Sequence, residues 1–319
     1  STPIGCLDDI STRAKTILQF ASMILAEDTR TTGLLLNRFV SRVYLMFHRM
    51  EISNKLESLN QENERSKIPM ILTHLKDGRR CCIGIKLGKS IALVSDAGTP
   101  VLSDPGATLV RSCIEHGNHG VGDLPIAIPI VPVPGPSAAL AALVCSGFYI
   151  TPFQFVGFVK DLEVSVPDSR FRVINPQIDF YIAASPSTTI LYESSHRICE
   201  TLDDLAGTLG GDRRVCICRE LTKLHETITR LSLQEVLMEE ALSLGLTFIR
   251  TGIQKGEFTL VLEGLTEFNE RMNQKDEEDK NSIYRCIQEM KREGINKDVI
   301  MRIMTNSFQV DISVILVCS

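Results

Sequence analysis

Apolar residues in the first half of the chain recur with two alternating periods. Ile10, Ala14, Ile17, Leu18 and Ala21 fall on one helical stripe, and the run Met23-Ile24-Leu25-Ala26 that follows predicts a short strand ending at Glu27-Asp28. A helix is predicted over 31–39 and a strand over 42–47. Residues 54–76 are mostly polar and helix-like, with a break at Pro69, and residues 90–95 (SIALVS) have the continuous apolar character of a buried strand. Asp104-Pro105 predicts an N-cap and first-turn proline ahead of a helix over 107–115. A strand over 126–133 and a helix from Ser137 to about Gly147 complete this half. Strands that alternate with helices at this spacing predict a parallel, wound sheet.

The second half has a different rhythm. Residues 153–159, 188–192, 214–219, 226–231 and 257–262 predict strands, and 198–209 and 233–244 predict helices. Too little chain separates the strands at 214 and 226 for a crossover helix, so part of this sheet must be antiparallel. The predicted fold class is α/β: a first domain over 1–150, a second, mixed-sheet domain over 151–264, and a tail over 265–319. In that tail the charged run 266–282 reads as a solvated linker. A helix-like segment over 283–304 follows, turning at Gly294-Ile295-Asn296, and the apolar end 312–317 has no evident partner.

With 319 residues and 44% hydrophobic content, the chain has enough apolar material for two cores, which excludes general disorder. Its 34 Lys+Arg against 39 Asp+Glu give a net charge of −5, so any nucleic-acid site must be a local patch. The ten cysteines include no CxxC pair, and Cys216 and Cys218 share one face of one strand. That pattern argues against structural zinc or a disulfide framework and for a reducing compartment. Residues 124–159 carry no charge, yet five prolines break their first half and the helix after them is too short to span a bilayer. No membrane partner is expected, and no signal peptide is read at Ser1-Thr2-Pro3-Ile4-Gly5.

The candidate chemistry gathers at strand ends. Asp96-Ala97-Gly98-Thr99-Pro100-Val101-Leu102-Ser103-Asp104-Pro105-Gly106 follows the SIALVS strand, at the carboxyl edge where parallel sheets bind ligands. Its glycines fit neither GxGxxG nor GxxxxGK[ST]. Pro134-Gly135-Pro136-Ser137-Ala138 is a second such turn, and the two could wall one cleft. Three charged clusters also end predicted strands: Glu27-Asp28-Thr29-Arg30, Tyr192-Glu193-Ser194-Ser195-His196-Arg197, and Arg219-Glu220-Leu221-Thr222-Lys223-Leu224-His225-Glu226. Each fits either an ion-pair network or a substrate surface. His196 and His225 have no nucleophile motif beside them, and no His/Cys set supports a catalytic metal.

Taken in order with Gly157-Phe158, these motifs resemble the bacterial-type small-subunit ribosomal RNA cytidine 2′-O-methyltransferases, a branch of the tetrapyrrole methylase superfamily. The resemblance covers about 1–264. It implies two α/β domains with S-adenosylmethionine in the cleft between them, a homodimer, and small-subunit rRNA or a ribosomal particle as partner. Carried over by position, the cofactor wall comprises Asp96, Ala97, Gly98, Thr99, Pro100, Ser103, Asp104, Pro105, Ser137, Ala138 and Phe158. The base that would take the hydroxyl proton is left open among Lys223, Glu220, Glu193 and His225, with Lys223 preferred on residue type. Arg30, Arg197 and Arg219 suit phosphate contacts. A bacterial source implies the cytoplasm, and a eukaryotic one a plastid or mitochondrion.

The departures bear on function too. The family begins with a strand just before the Thr-Pro-Ile-Gly turn, whereas this chain starts in the turn, so that first strand is expected to be lacking. Residues 79–88 and 119–127 read as insertions, and 160–187 carries only Lys160, Arg170 and Arg172 where the family has a basic stretch. The alternatives are therefore the same fold methylating a tetrapyrrole or protein, or a catalytically impaired RNA- or ribosome-interaction protein.

Overall fold

A computed structural model describes residues 1–39, 55–77, 90–118, 128–159, 178–237, 256–296, 299–300 and 302. The strand predicted over 42–47, the insertions at 79–88 and 119–127, residues 160–177 of the basic-poor stretch, the helix continuation over 238–244 and the apolar end at 312–317 lie outside them. The chain divides into two units, 1–263 and 264–319.

In the first unit, strand β1 (Met23–Ala26) is the centre of a parallel three-stranded sheet, between β2 (Leu56–Ser58) and β3 (Ile91–Val94). Side chains of successive strand residues point to opposite faces, so both faces of β1 need cover. Ile24 and Ala26 pack with Ala14 and Leu18 of α1 (Thr12–Phe20) and Leu36 of α2 (Thr29–Phe39). Leu25 packs on the other face with Ile71 and Leu72 of α3 (Glu64–Asp77) and Leu109 of α4 (Ala107–Asn118). The Ser11 hydroxyl accepts from Ala14 N at 3.1 Å, which caps α1.

Three local expectations are corrected here. Leu56-Glu57-Ser58, read as helix, pairs with β1 in the register Ile24↔Leu56, a case of tertiary pairing overriding local preference. Pro69 lies inside α3 rather than breaking it, because Ile71 and Leu72 are fully buried and their packing outweighs the one lost backbone donor. Residues 128–133 form no strand: Pro129 and Pro132 cannot donate to a ladder.

The second sheet has the order β4 (Phe153–Phe158), β5 (Thr188–Ser194), β8 (Glu257–Leu262), β6 (Arg214–Arg219), β7 (Thr227–Ser232). Only β4 and β5 pair in parallel; β5/β8, β8/β6 and β6/β7 are antiparallel, so the sheet is mixed. On one face Leu191, Val215, Ile217, Phe258 and Leu260 pack against Ile198, Leu202 and Leu205 of α6 (Ile198–Leu209) and Leu233 of α7 (Leu233–Leu237). The opposite face, with Ile190, Val261, Cys216 and Cys218, is covered by Ala139, Ala142 and Leu143 of α5 (Ala138–Ser146) and by Ile4. Helix α5 therefore belongs by sequence to the first half and by packing to the second sheet. Cys216 and Cys218 place their sulfurs 3.7 Å apart within that contact.

In the second unit the charged run is not a linker. It is part of the 28-residue helix α8 (Leu265–Arg292), rich in Glu, Lys, Gln, Met and Arg, all strong helix formers. The helix ends at Glu293-Gly294, where Gly294 takes φ +75°, and Ile283 and Ile287 pack on Ile300. Among the described residues no helix is long and apolar enough to cross a membrane.

Candidate active site

Glu27 and Asp28 extend beyond the carboxyl end of β1, and Ser95 and Asp96 beyond that of β3, so parallel pairing alone brings four polar residues to one edge. The turn at residues 1–5 folds over this edge. Thr2 N donates to Gly98 O at 2.8 Å and Gly98 N to Thr2 O at 3.1 Å, while the Thr2 hydroxyl donates to Ser95 O at 3.1 Å. The Thr99 hydroxyl donates to Pro136 O at 3.1 Å and pairs with the Ser1 hydroxyl at 3.0 Å. The two glycine-rich turns singled out in the sequence are thus pinned side by side.

The loop between β3 and α4 is held in an unusual shape. Gly98 has φ +83°, but Val101 and Ser103 also sit in the left-handed region, at φ 77° and 66°. A β-branched residue there is strained, by about 1–3 kcal/mol, and such strain persists only where surrounding contacts impose it. Asp104 does not cap the next helix as predicted: Gly106, at φ +125°, directly precedes Ala107 and its carbonyl accepts from Val110 N. Asp104 is left half-buried without that role.

The second sheet supplies the facing wall. At Gly157 (φ +75°) a Cβ would lie 2.8 Å from the Ser103 hydroxyl, so only glycine lets β4 approach the loop so closely. Phe155 and Phe158 meet the Tyr192 ring edge-on, with centroids 4.9 and 5.7 Å away. The Tyr192 hydroxyl accepts from Ala139 N at 3.3 Å, at the start of α5 beside Ser137 and Ala138.

Four carboxyls share the sheet edge, and each is treated differently. Asp28 binds Arg30 through Nε at 3.1 Å and Nη2 at 2.7 Å, and these bonds hold it down at about 2. Asp96 accepts from Asp28 N at 3.2 Å, yet burial and the nearby Asp28 charge raise it. Glu27 is raised by burial and by Asp96 and Asp28. Asp104 is pushed up to about 6, chiefly by burial, then by Glu27, with Asp96 adding to it and Ser95 opposing. A carboxyl raised on folding favours the native state while it is protonated and loses that advantage as pH climbs from about 4 to about 6. Asp104→Asn is accordingly expected to melt higher than the unmodified protein at pH 7.5, with the gap closing below pH 4 in melting curves.

The loop from Arg219 to Glu226 packs beneath the N-terminal turn, where Cys6 N donates to the Thr222 hydroxyl at 3.0 Å. Glu220 and Thr222 again take positive φ, at 52° and 65°. Lys223 Nζ donates to both Glu220 Oε1 and Glu257 Oε2 at 2.9 Å. Burial works against its charge, but these two carboxylates prevail and raise it. The same contacts hold Glu220 low against the opposing effect of burial. Lys223, preferred as the base on residue type, is here a clamped cation with no lone pair to offer.

Glu193 is also drawn away from the cleft. It is 3% exposed, accepting from Ser194 N at 2.6 Å and the Thr201 hydroxyl at 2.7 Å, with Arg197 Nη2 at 3.8 Å. Arg197 also donates to Val159 O, so this cluster is a structural network under α6. Arg30 is exposed at the rim, Arg219 closes β6 beside Glu220, and His225 is exposed at the loop tip. The structure draws Thr2, Ser95, Glu27 and Tyr192, which the sequence motifs contain without an assigned role, into the site. The signal that singles out Tyr192 is its place on β5 level with Phe158 across the parallel pair.

The sequence profile of the Tetrapyrrole (Corrin/Porphyrin) Methylases matches residues 1–237. Ribosomal RNA small subunit methyltransferase I of Vibrio cholerae serotype O1 is 37% identical over 272 residues, 85% of this chain and 77% of that protein. The protein of the same name from Synechocystis sp. is 36% identical over 266 residues, 83% and 78% of the two chains. Among solved structures, a cobalt precorrin-4 methyltransferase of cobalamin biosynthesis covers 82% of this chain and 92% of its own, with a TM-score of 0.47 and 14% identity.

Proposed function

This chain belongs to the tetrapyrrole (corrin/porphyrin) methylase family and is an S-adenosylmethionine-dependent methyltransferase, and from that premise we propose that it methylates the ribose 2′-hydroxyl of a cytidine in small-subunit ribosomal RNA. The observation that carries this reading is the pinning of loop 95–106 to the Pro134–Ser137 turn, opposite Tyr192 and beside an exposed Arg30, in a chain more than a third identical to rRNA methyltransferases.

The residues present suit the cofactor. Gly98, whose own N–H and carbonyl bind Thr2, leaves side-chain-free space beside the turn, and the carboxyls of Glu27, Asp96 and Asp104 favour a cationic ligand. Asp96, Ala97, Gly98, Thr99, Pro100, Ser103, Asp104 and Pro105 would hold it on one side, and Ser137, Ala138 and Phe158 on the other. Bound there, S-adenosylmethionine supplies an electrophilic methyl group. The chain's contribution is mainly alignment: strained, cross-braced loops fix the acceptor's approach before substrate arrives. The Phe155, Phe158 and Tyr192 rings, packed edge-on, would form an apolar border to that approach. Lys223, held as a cation between Glu220 and Glu257, braces the loop beneath the N-terminal turn.

We also infer a homodimer, supported by the exposed apolar residues Leu140 and Val144 on α5 and Tyr149 and Ile150 just after it. The experiment for the acceptor is transfer of labelled methyl from S-adenosylmethionine to small ribosomal particles that lack the modification, followed by mapping of the product. One methylated ribose on a cytidine is the expected result. Label on a base, a protein or a tetrapyrrole would overturn the reading.

A further inference from the structure

We propose that Asp104 is the catalytic base that takes the 2′-hydroxyl proton. The inference rests on the acceptor reading above and deepens it at the same site. When the new O–CH3 bond forms and the S–CH3 bond breaks, the hydroxyl proton must leave the oxygen, and a carboxylate that receives it balances the step with no further reactant.

Four carboxyls stand at the sheet edge, and their partners separate them. Asp28 is taken up by Arg30, whose backbone N and Nε both reach Oδ1, at 2.8 and 3.1 Å. Asp96 is engaged by Asp28 N. Glu27, at the end of β1, lies between those two. Asp96 and Asp104 share the loop between β3 and α4, and of the two Asp104 stands at the end that touches the second sheet, one residue after Ser103, which abuts Gly157. Its charge is felt at Tyr192 on β5, so it stands between the cofactor turn and the facing wall. The Ser95 hydroxyl, which shares its proton with Gly98 O at 3.1 Å, also reaches the Asp104 carboxyl and orients it.

The backbone argues the same way. Val101 and Ser103 both hold left-handed geometry within the three residues before Asp104, and Gly106 holds φ +125° just after it. A loop that needed only to cap α4 would have no use for this strain, whereas one that must aim a carboxyl fits the known clustering of strain at functional positions. The neighbours set the proton affinity. Glu27 and Asp96 on the sheet edge raise it, Ser95 lowers it, and Asp28 is offset by Arg30. Across the cleft Tyr192 is itself pushed above its usual range, chiefly by burial, so it stays neutral in the working pH range. A base with its affinity near neutrality accepts a proton with more driving force than an ordinary carboxylate, yet remains available at pH 7.

The test compares the unmodified protein with Asp104→Asn and Asp104→Glu in single-turnover methyl transfer to unmodified small-subunit particles between pH 5 and 8.5. Calorimetric S-adenosylmethionine binding and melting temperature are measured alongside. The expected rate for the unmodified protein rises to a plateau through a midpoint near 6, and Asp104→Asn loses at least about 100-fold in rate together with that midpoint. Because Asp104 also borders the proposed cofactor wall, cofactor affinity in Asp104→Asn should fall far less than the rate, by no more than about tenfold, with the fold intact, and Asp104→Glu should recover part of the rate. A rate within tenfold of normal in Asp104→Asn overturns the proposal, as does a flat pH profile in the unmodified protein. Loss of cofactor affinity in proportion to rate also overturns it, by leaving Asp104 no role beyond holding the cofactor. Unmodified protein that binds S-adenosylmethionine but leaves the particles unmethylated overturns the acceptor reading, and the proposal with it; that result cannot be confused with activity surviving in Asp104→Asn.

Discussion

Gly98→Val is expected to weaken S-adenosylmethionine binding by at least about 100-fold while leaving most of the protein folded. Gly98 takes φ +83°, a conformation that costs a side-chain-bearing residue roughly 1–2 kcal/mol. Its Cβ would stand 3.3 Å from Ile4 Cγ2 and 3.7 Å from Pro136 O, so the two added methyls of valine must displace either the N-terminal turn or the Pro134–Ser137 turn. Both border the proposed cofactor wall. A displacement of either turn that costs about 2.8 kcal/mol of binding lowers affinity about 100-fold, since each tenfold step is about 1.4 kcal/mol. Calorimetry gives the affinity, and circular dichroism checks the fold. Binding within threefold of normal would place the cofactor elsewhere.

The arginines grouped together in the sequence should separate in experiment. Arg197→Ala leaves the Glu193 carboxylate, 3% exposed, without its guanidinium neighbour and Val159 O without its donor. Loss of a partner from a buried group costs about 1–3 kcal/mol. In a unit of this size that corresponds to a melting temperature lower by roughly 3–10 °C, with the salt dependence of RNA binding unchanged. Arg30 is the opposite case, with 89% of its side chain exposed. Its pair with Asp28 is a surface ion pair of little weight, so Arg30→Ala should shift melting hardly at all. If Arg30 reaches a phosphate, the same change lowers rRNA affinity and reduces the slope of log affinity against log salt by about 1. A lower melting temperature with an unaltered slope in Arg30→Ala would remove it from the RNA surface.

The strands of the second sheet were legible because the register is strongly patterned: 214–219 and 257–262 were read with the bounds the structure shows. In the first half, local reading failed where distant residues decide. Leu56-Glu57-Ser58 is a strand only because β1 lies beside it, and Pro69 stays helical only because Ile71 and Leu72 have a core to enter. The charged run at 266–282 was misread for the reverse reason, since polarity was allowed to outweigh the helix preference of its residues. At the site, composition singled out both glycine-rich turns. It could not show that Thr99 ties one to the other, nor that Glu193 and Lys223 are already engaged by neighbours, because those facts depend on contacts across 37, 8 and 34 residues of chain. The role of Asp104 was hidden likewise: Asp-Pro-Gly before a helix looks like a cap until Gly106 is seen to take that place.

Helix α5 is the feature with the widest consequence. It starts at the Pro134–Ser137 turn, yet its buried side chains, Ala139, Ala142 and Leu143, lie against Ile190, Cys216 and Val261 of the second sheet. Moving the first half away together with α5 would strip cover from the second sheet, so residues 1–263 are expected to melt as one cooperative unit despite their two sheets. Any molecule that tightens the turn stabilises both halves at once, by an amount that grows with the logarithm of its concentration over its dissociation constant. Backbone amides in β6, which takes no part in the proposed cofactor wall, would then exchange with solvent more slowly whenever that wall is occupied.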